Sequence, residues 1–236
     1  MLIVPLSAKV ASYLACGTFL ASSICVPLIA GSQEQDGEKR IGALIMVGGG
    51  KLPDGARIRF LELAGAKKAR IVLVPTASGE AETAPAEEWL ADWKKLGPAS
   101  VVLLHTRSRT EADSPAFVKP LTDATGVWLS GGDQSRLAAA YQGTAVERAL
   151  QKVVQRGGVV GGTSAGAASM TSLMITGGNP EAEVGRGFDL LPGFVVDQHC
   201  LRRNRLNRLL GVVARHPGYV GLGIDEQTAV IVQGSR

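Results

Sequence analysis

The chain has 236 residues, 45% of them hydrophobic and 19% charged, a balance that excludes a mostly disordered or collagen-like protein and suits one sizeable core. Its formal charge of +4 comes without a lysine run or a basic stripe interleaved with aromatics, so nucleic acid is not an expected partner. Positive charge gathers in one stretch, Arg202, Arg203, Arg205 and Arg208, which is either a solvated helix surface or faces an anionic ligand.

Residues 1–32 carry one early cation, Lys9, and then an apolar run from Val10 to Ala30 broken by Ser12, Gly17, Thr18, Ser22 and Ser23. The pattern predicts a secretory signal peptide cleaved near Ala30-Gly31-Ser32, and a secreted or periplasmic mature chain beginning at Gln33. A retained N-terminal membrane anchor is the rival reading; Pro27 and the interrupted hydrophobicity weigh against it. Cys16 and Cys25 fall in this leader, without a lipid-attachment pattern. Cys200 alone remains, so neither an internal disulfide nor a zinc-finger type site is expected. Residues 33–236 are expected to form a single domain.

Short apolar runs then recur: Ala43 to Val47, Arg70 to Pro75, Val101 to His105, Val127 to Ser130 and Val159 to Gly161. They are rich in valine, isoleucine and leucine and barely alternate, which is how strands buried on both faces of a parallel sheet read. Between them, Glu87 to Leu96 and Arg136 to Gln155 read as amphipathic covering helices. The expected fold is α/β with a doubly wound, mostly parallel sheet, and its chemistry belongs in the loops beyond the carboxyl ends of the strands.

Those loops are rich in glycine: Gly48-Gly49-Gly50, Thr76-Ala77-Ser78-Gly79, Gly131-Gly132-Asp133-Gln134 and Gly161 to Gly166. The first does not match G-x-G-x-x-G and reads as a plain turn. The last contains Gly162-Thr163-Ser164-Ala165-Gly166, a G-x-S-x-G pattern after a short strand and before a run, Ala167 to Met174, that reads as helical. That is the setting of a nucleophile elbow, with the Ala165 N–H available as an oxyanion donor. A serine nucleophile needs a general base, and beyond the leader the chain holds three histidines, His105, His199 and His216. His199 has the best setting, after the apolar run Phe194-Val195-Val196 and directly behind Asp197 and Gln198. The orienting acid is Asp225 or Glu226, both at the end of another apolar strand. The order serine, histidine, acid differs from that of the α/β-hydrolases, so the elbow does not point to that family.

Together, Trp128 to Gln134, Gly161 to Ala168, Asp197-Gln198-His199 and Gly223 to Ala229 resemble, in order and spacing, the cyanophycinase-like S51 peptidases. The resemblance spans Ala43 to Val232. It implies a flavodoxin-like fold related to class I glutamine amidotransferases, with Ser164 as nucleophile, His199 as base and Glu226, ahead of Asp225, as its orienting acid. It further implies a second oxyanion N–H at Gly132, a cleft lined by Gln134, Asp197 and Gln198, and substrate contacts from Arg203, Arg205 and Arg208. Guanidinium groups suit carboxylates because they donate paired hydrogen bonds.

The substrate so implied is cyanophycin, a polyaspartate backbone with arginine on its side-chain carboxyls, cut at β-aspartyl residues to give β-Asp-Arg dipeptides. No metal or organic cofactor is implied, and a homodimer is compatible with the resemblance. Two positions depart from the family's pattern: Cys200 stands where an aromatic residue is frequent, and the chain stops at Gly234-Ser235-Arg236, soon after the apolar run Ala229 to Val232. Rival functions are an aspartyl dipeptidase acting on short peptides, a catalytically silent secreted binding protein, and a glutaminase. The last ordinarily has cysteine where Ser164 stands.

Overall fold

The computed structural model describes residues 2–4 and 42–234. The leader expected over residues 1–32 therefore lies, apart from Leu2–Val4, outside the described residues. In chain order the elements are Leu2–Val4 (β1), Ala43–Val47 (β2), Asp54–Leu63 (α1), Arg70–Val74 (β3), Ala86–Lys94 (α2), Ser100–Leu103 (β4), Arg109–Ala112 (α3) and Pro115–Thr122 (α4). There follow Gly126–Leu129 (β5), Gln134–Tyr141 (α5), Ala145–Gln155 (α6), Val159–Thr163 (β6), Ala165–Ala168 (α7), Leu173–Gly177 (β7), Glu183–Arg186 (β8), Phe194–Gln198 (β9), Leu206–Arg215 (α8), Val220–Ile224 (β10) and Ala229–Gln233 (β11).

The main sheet has six strands in the order β11-β2-β6-β5-β3-β4. Its members run parallel except β11, which pairs antiparallel with β2. The unalternated sequence of these strands has its cause in two separate apolar layers. Leu44, Met46, Val72, Val74, Val127 and Leu129 point into one cluster, while their neighbours Ala43, Ile45, Val47, Ile71, Leu73 and Trp128 point into the other. Period-two alternation thus persists, but both faces meet helices.

One layer is closed by α1 and α2, whose Phe60 and Trp93 pack edge-on and tilted around Trp128 at ring separations of 5.1–5.3 Å. The other is closed by α6, whose Val146, Leu150 and Val153 recur at helical spacing and are fully buried. The doubly wound α/β fold is as the sequence implied. Outside the main sheet, β9 and β10 run parallel to each other, with β1 antiparallel on the far side of β10, and β7 and β8 form a hairpin.

Two helical readings are corrected. The run expected as one helix from Arg136 to Gln155 is two, α5 and α6, broken at Gln142-Gly143-Thr144. Gly143 takes a φ of 73°, a left-handed stop, and the Thr144 hydroxyl accepts from Val146 N–H to start the next helix. The run Ala167 to Met174 keeps only the short α7 before it becomes β7. There the Met170 carbonyl accepts from the N–H groups of Leu190 and Leu191, and Leu173 to Ile175 pair with β8. A short apolar run does not reveal by itself which partner will claim its backbone.

Candidate active site

The loops beyond β2, β3, β5, β6, β9 and β10 converge where the strands end. Ser164 follows β6 and caps α7 with φ 51° and ψ −109°, a backbone state L-residues rarely occupy. Its N–H donates to Val47 O at 2.8 Å and its carbonyl accepts from Ala168 N at 3.0 Å, so both sides of the kink are held. The flanking glycines are required by contact. A Cβ on Gly166 would overlap the Leu129 carbonyl, and one on Gly162 the backbone of Gly166.

His199 directly follows β9, also at positive φ, and its N–H donates to Gly48 O at 2.8 Å. Its Nε2 stands 2.9 Å from Ser164 Oγ and its Nδ1 2.7 Å from Glu226 Oε1. With a carboxylate at Nδ1, that nitrogen carries the proton, leaving Nε2 to accept from the serine hydroxyl. Such a relay can draw the proton from Ser164 as its oxygen attacks a carbonyl.

Of the two acids, Glu226 meets His199. Asp225 turns away and accepts from Arg202 N–H at 2.9 Å, a bond that holds its carboxyl below the ordinary carboxylate range. His105 binds Thr76 Oγ1 and Glu82, and His216 packs on the Tyr219 ring, so neither touches the serine. The Ala165 N–H, first in α7, has no acceptor among the described residues. Gly131 lies beside it, where an added Cβ would come within 3.6 Å of Ser164 Cβ, and Gly132 follows at φ 138°.

The glycine run Gly48-Gly49-Gly50, read from sequence as a plain turn, belongs to this site. Gly49 at φ 131° presses its backbone onto the His199 ring and accepts from Gln227 N–H at 3.0 Å, while Gly50 abuts Glu226. Its only sequence signal was its place at the end of a buried strand. A Cβ at Gly49 would occupy the imidazole's space, so Gly49→Ala is expected to displace His199 and reduce kcat about 100-fold. Hydrolysis assays on the folded variant would check this against Gly218→Ala, where a Cβ meets open space.

Ser164 and His199 lie in a cleft of about 350 Å³ that is also lined by Gln134, Gln198, Arg203, Arg205 and Arg208. None of its lining residues is acidic. Asp197, expected in the lining, is instead fully buried beneath it. The strand period explains the correction: adjacent residues of β9 face opposite ways, so Gln198 reaches the cleft while Asp197 points under α8. There Asp197 takes a two-pronged bond from Arg208, with Nε to Oδ2 at 2.8 Å and Nη2 to Oδ1.

The three arginines are consequently not equivalent. Arg208 donates from Nη1 to Gly178 O at 2.7 Å, and Gln134 gives Nε2 to Ile175 O and Thr176 O at 2.8 and 3.0 Å. Both side chains pin the β7–β8 hairpin, which brings Thr176 and Gly177 into the cleft wall, a contribution the sequence reading missed. Arg205 reaches Gln198 O at 3.1 Å, and burial followed by the Arg208 charge lowers its pKa from the ordinary guanidinium value. Arg203 is exposed and has no side-chain partner among the described residues. Gln198 Oε1 is buried without a hydrogen-bond partner.

Cys200 packs under Gly223, and burial followed by the Asp197 charge pushes its thiol above the ordinary range, so it contributes packing rather than a nucleophile. Among the described residues, no group of three or more His, Cys, Asp or Glu is placed to hold a metal ion.

A cyanophycinase of Nostoc sp. is 36% identical to the chain over 182 residues, 74% of this chain and 61% of the relative, so the chain spans about three fifths of that relative's length. A cyanophycinase of Synechococcus elongatus is 34% identical over 220 residues, 88% of this chain and 67% of the relative. The crystal structure of a peptidase from an acI-B1 Actinobacterium superposes with a TM-score of 0.64 at 25% identity, covering 84% of this chain and 86% of that one. The family model described as Peptidase family S51 matches residues 44–236, a span that runs from within β2 through β11, and the chain belongs to that family.

Proposed function

We propose that the chain is a cyanophycinase-type serine hydrolase that cuts the polyaspartate backbone at β-aspartyl residues through an acyl-enzyme on Ser164. The observation that carries this reading is the continuous relay from Ser164 through His199 to Glu226 at the base of a cleft whose charged lining side chains are guanidinium groups. The likeness to cyanophycinases supports the substrate class.

Ser164 Oγ attacks the backbone α-carbonyl of a β-linked aspartyl residue while His199 Nε2 takes its proton, and Glu226 stabilises the imidazolium that forms. The N–H groups of Ala165 and Gly132 bind the oxyanion. Collapse expels the amine, which receives the proton from His199, and leaves an ester on Ser164. Water activated by the same histidine then hydrolyses the ester and restores the serine. Repetition along cyanophycin releases β-Asp-Arg dipeptides.

Arg203, having no side-chain partner among the described residues, is the guanidinium that takes a substrate carboxylate, with Arg205 behind it. Arg203→Ala is expected to raise KM roughly 5- to 10-fold on cyanophycin and leave kcat within about twofold, as for loss of a solvent-exposed charged hydrogen bond. Steady-state kinetics distinguish this from a fall in kcat, which would place Arg203 against the reacting atoms.

The deciding experiment is β-Asp-Arg release from purified cyanophycin by the full chain and by Ser164→Ala. Release by the parent alone supports nucleophile and substrate together. Labelling of the parent at Ser164 by a fluorophosphonate without dipeptide release would retain the hydrolase and remove cyanophycin, leaving short aspartyl peptides to be assayed. Absence of both labelling and release would favour the silent binding protein. We also propose export with cleavage near Ala30; mass spectrometry of the protein from the producing cell would show a mature chain starting close to Gln33, and an intact Met1 would sink the idea.

A further inference from the structure

We propose that Arg107, which lies outside the cleft lining, is a positioning residue that sets the Gly132 N–H toward the reacting carbonyl; the inference rests on the serine-hydrolase reading above. Gly132 is gripped from two sides. Its Cα is packed against the Ala77 carbonyl so tightly that a Cβ would overlap it, and Asp133 N–H donates to the same oxygen at 2.9 Å. On the opposite side, Gly131 sits over Thr163 O and Ser164. The donor turn is therefore clamped between the elbow and the segment Thr76-Ala77-Ser78, and a shift of that segment becomes a shift of the Gly132 N–H.

Arg107 fixes the segment from its outer side. Nη1 donates to Thr76 O at 2.6 Å and Nη2 to Ser78 O at 2.8 Å, straddling the Ala77 peptide that carries Gly132. The guanidinium is itself held by Glu82, through Nε to Oε1 at 2.5 Å and Nη2 to Oε2 at 3.3 Å. The Arg107 bond in turn holds the Glu82 carboxyl down to about 2, so the pair is ionised throughout the neutral range.

A second set of contacts braces the same place. The fully buried Thr76 places Oγ1 at 2.7 Å from Tyr141 Oη and 2.9 Å from His105 Nδ1, and His105 Nε2 reaches Glu82 at 3.1 Å. Arg107 is one-third exposed, so its planar fork is preserved by these carbonyl and carboxylate bonds rather than by close packing. A lysine there could reach one carbonyl but not bridge two.

Because the donors act on charge that develops during attack, loosening them should slow acylation without weakening ground-state binding. Displacing a donor by a fraction of an ångström is expected to lower the rate of Ser164 modification by a fluorophosphonate about tenfold in Arg107→Ala and about threefold in Arg107→Lys, less than outright loss of a donor. Apparent affinity for the probe and KM for cyanophycin should stay within about twofold, and parent, lysine and alanine should rank in that order.

The experiment measures saturating labelling rate and half-saturation concentration on the full chain, with circular dichroism and thermal unfolding on each variant. An unchanged saturating rate in a folded Arg107→Ala with a lowered Tm would overturn the proposal, leaving Arg107 a purely structural pin. A change confined to half-saturation or KM would also overturn it, placing Arg107 on the substrate. Should Arg107→Ala fail to fold, Arg107→Lys, which keeps the charge but cannot bridge both carbonyls, carries the test, with its rate effect of about threefold expected. A normal rate in that variant would refute the relay. A parent that is never labelled at Ser164 would remove the hydrolase reading and this inference together, whereas with a labelled parent the variants bear on Arg107 alone.

Discussion

Ser164→Ala is expected to lower kcat on β-aspartyl substrate roughly 10⁴-fold or more, leaving only what the oxyanion donors and binding supply. KM should change little, because the hydroxyl sits at the relay's end rather than against the cleft's arginines. The double variant Ser164→Ala/His199→Ala should lose no more than the single one, since the two groups move one proton as a unit. Ser164→Gly should be equally inactive yet unfold at a temperature a few degrees higher. At φ 51° and ψ −109° the serine backbone stores strain on the order of 1–3 kcal/mol, and glycine alone relieves it. Activity assays beside calorimetry check both halves, and a Ser164→Gly no more stable than the parent would mean that the elbow is not strained.

Asp197→Ala is expected to destabilise the fold by about 3–5 kcal/mol, a large share of the roughly 5–15 kcal/mol that holds a domain of this kind together. The carboxylate is fully buried, and its removal leaves Arg208, itself 5% exposed, as an unpaired charge in the cleft wall. Urea unfolding followed by tryptophan fluorescence would measure the loss. Asp197→Leu combined with Arg208→Met should recover most of the stability, since two apolar side chains replace two charges that no longer need each other. The double variant should still raise KM, because the Arg208 bond to Gly178, which ties down the hairpin, is gone. If Asp197→Ala instead kept full stability and lost only substrate affinity, Asp197 would line the cleft after all.

These two residues mark the limit of what was legible in the amino-acid sequence. The elbow was readable because its pattern is local: a Cβ at Gly162 would meet the backbone of Gly166 within the same turn, and a short β-strand precedes the serine. The buried strands were readable because an apolar layer on each face leaves an unalternated apolar run. His199 and Glu226 followed from their places at strand ends together with the motif resemblance, and the structure brings both to Ser164.

Contacts between distant segments were not readable. Asp197 and Gln198 are neighbours in a polar motif, and nothing local says that the pleat sends one to the cleft and the other beneath it. Arg203, Arg205 and Arg208 form one basic cluster in sequence, yet a buried carboxylate and a hairpin carbonyl claim Arg208 while Arg203 stays exposed. The Gly48-Gly49-Gly50 turn gained its role from a histidine 150 residues further on in Gly49's case, and Arg107 from a peptide some thirty residues before it. The α5–α6 break and the conversion of Leu173 to Gly177 into a strand likewise depended on which backbone groups found partners. The sequence by itself determined the α/β layering and the position of the elbow, because hydrophobic periodicity and a strand-to-helix turn are each written over a few residues. The tertiary structure alone decided which polar side chains reach the cleft and which hold it open, because a buried hydrogen bond or ion pair is specified by both of its partners and only the fold brings them together.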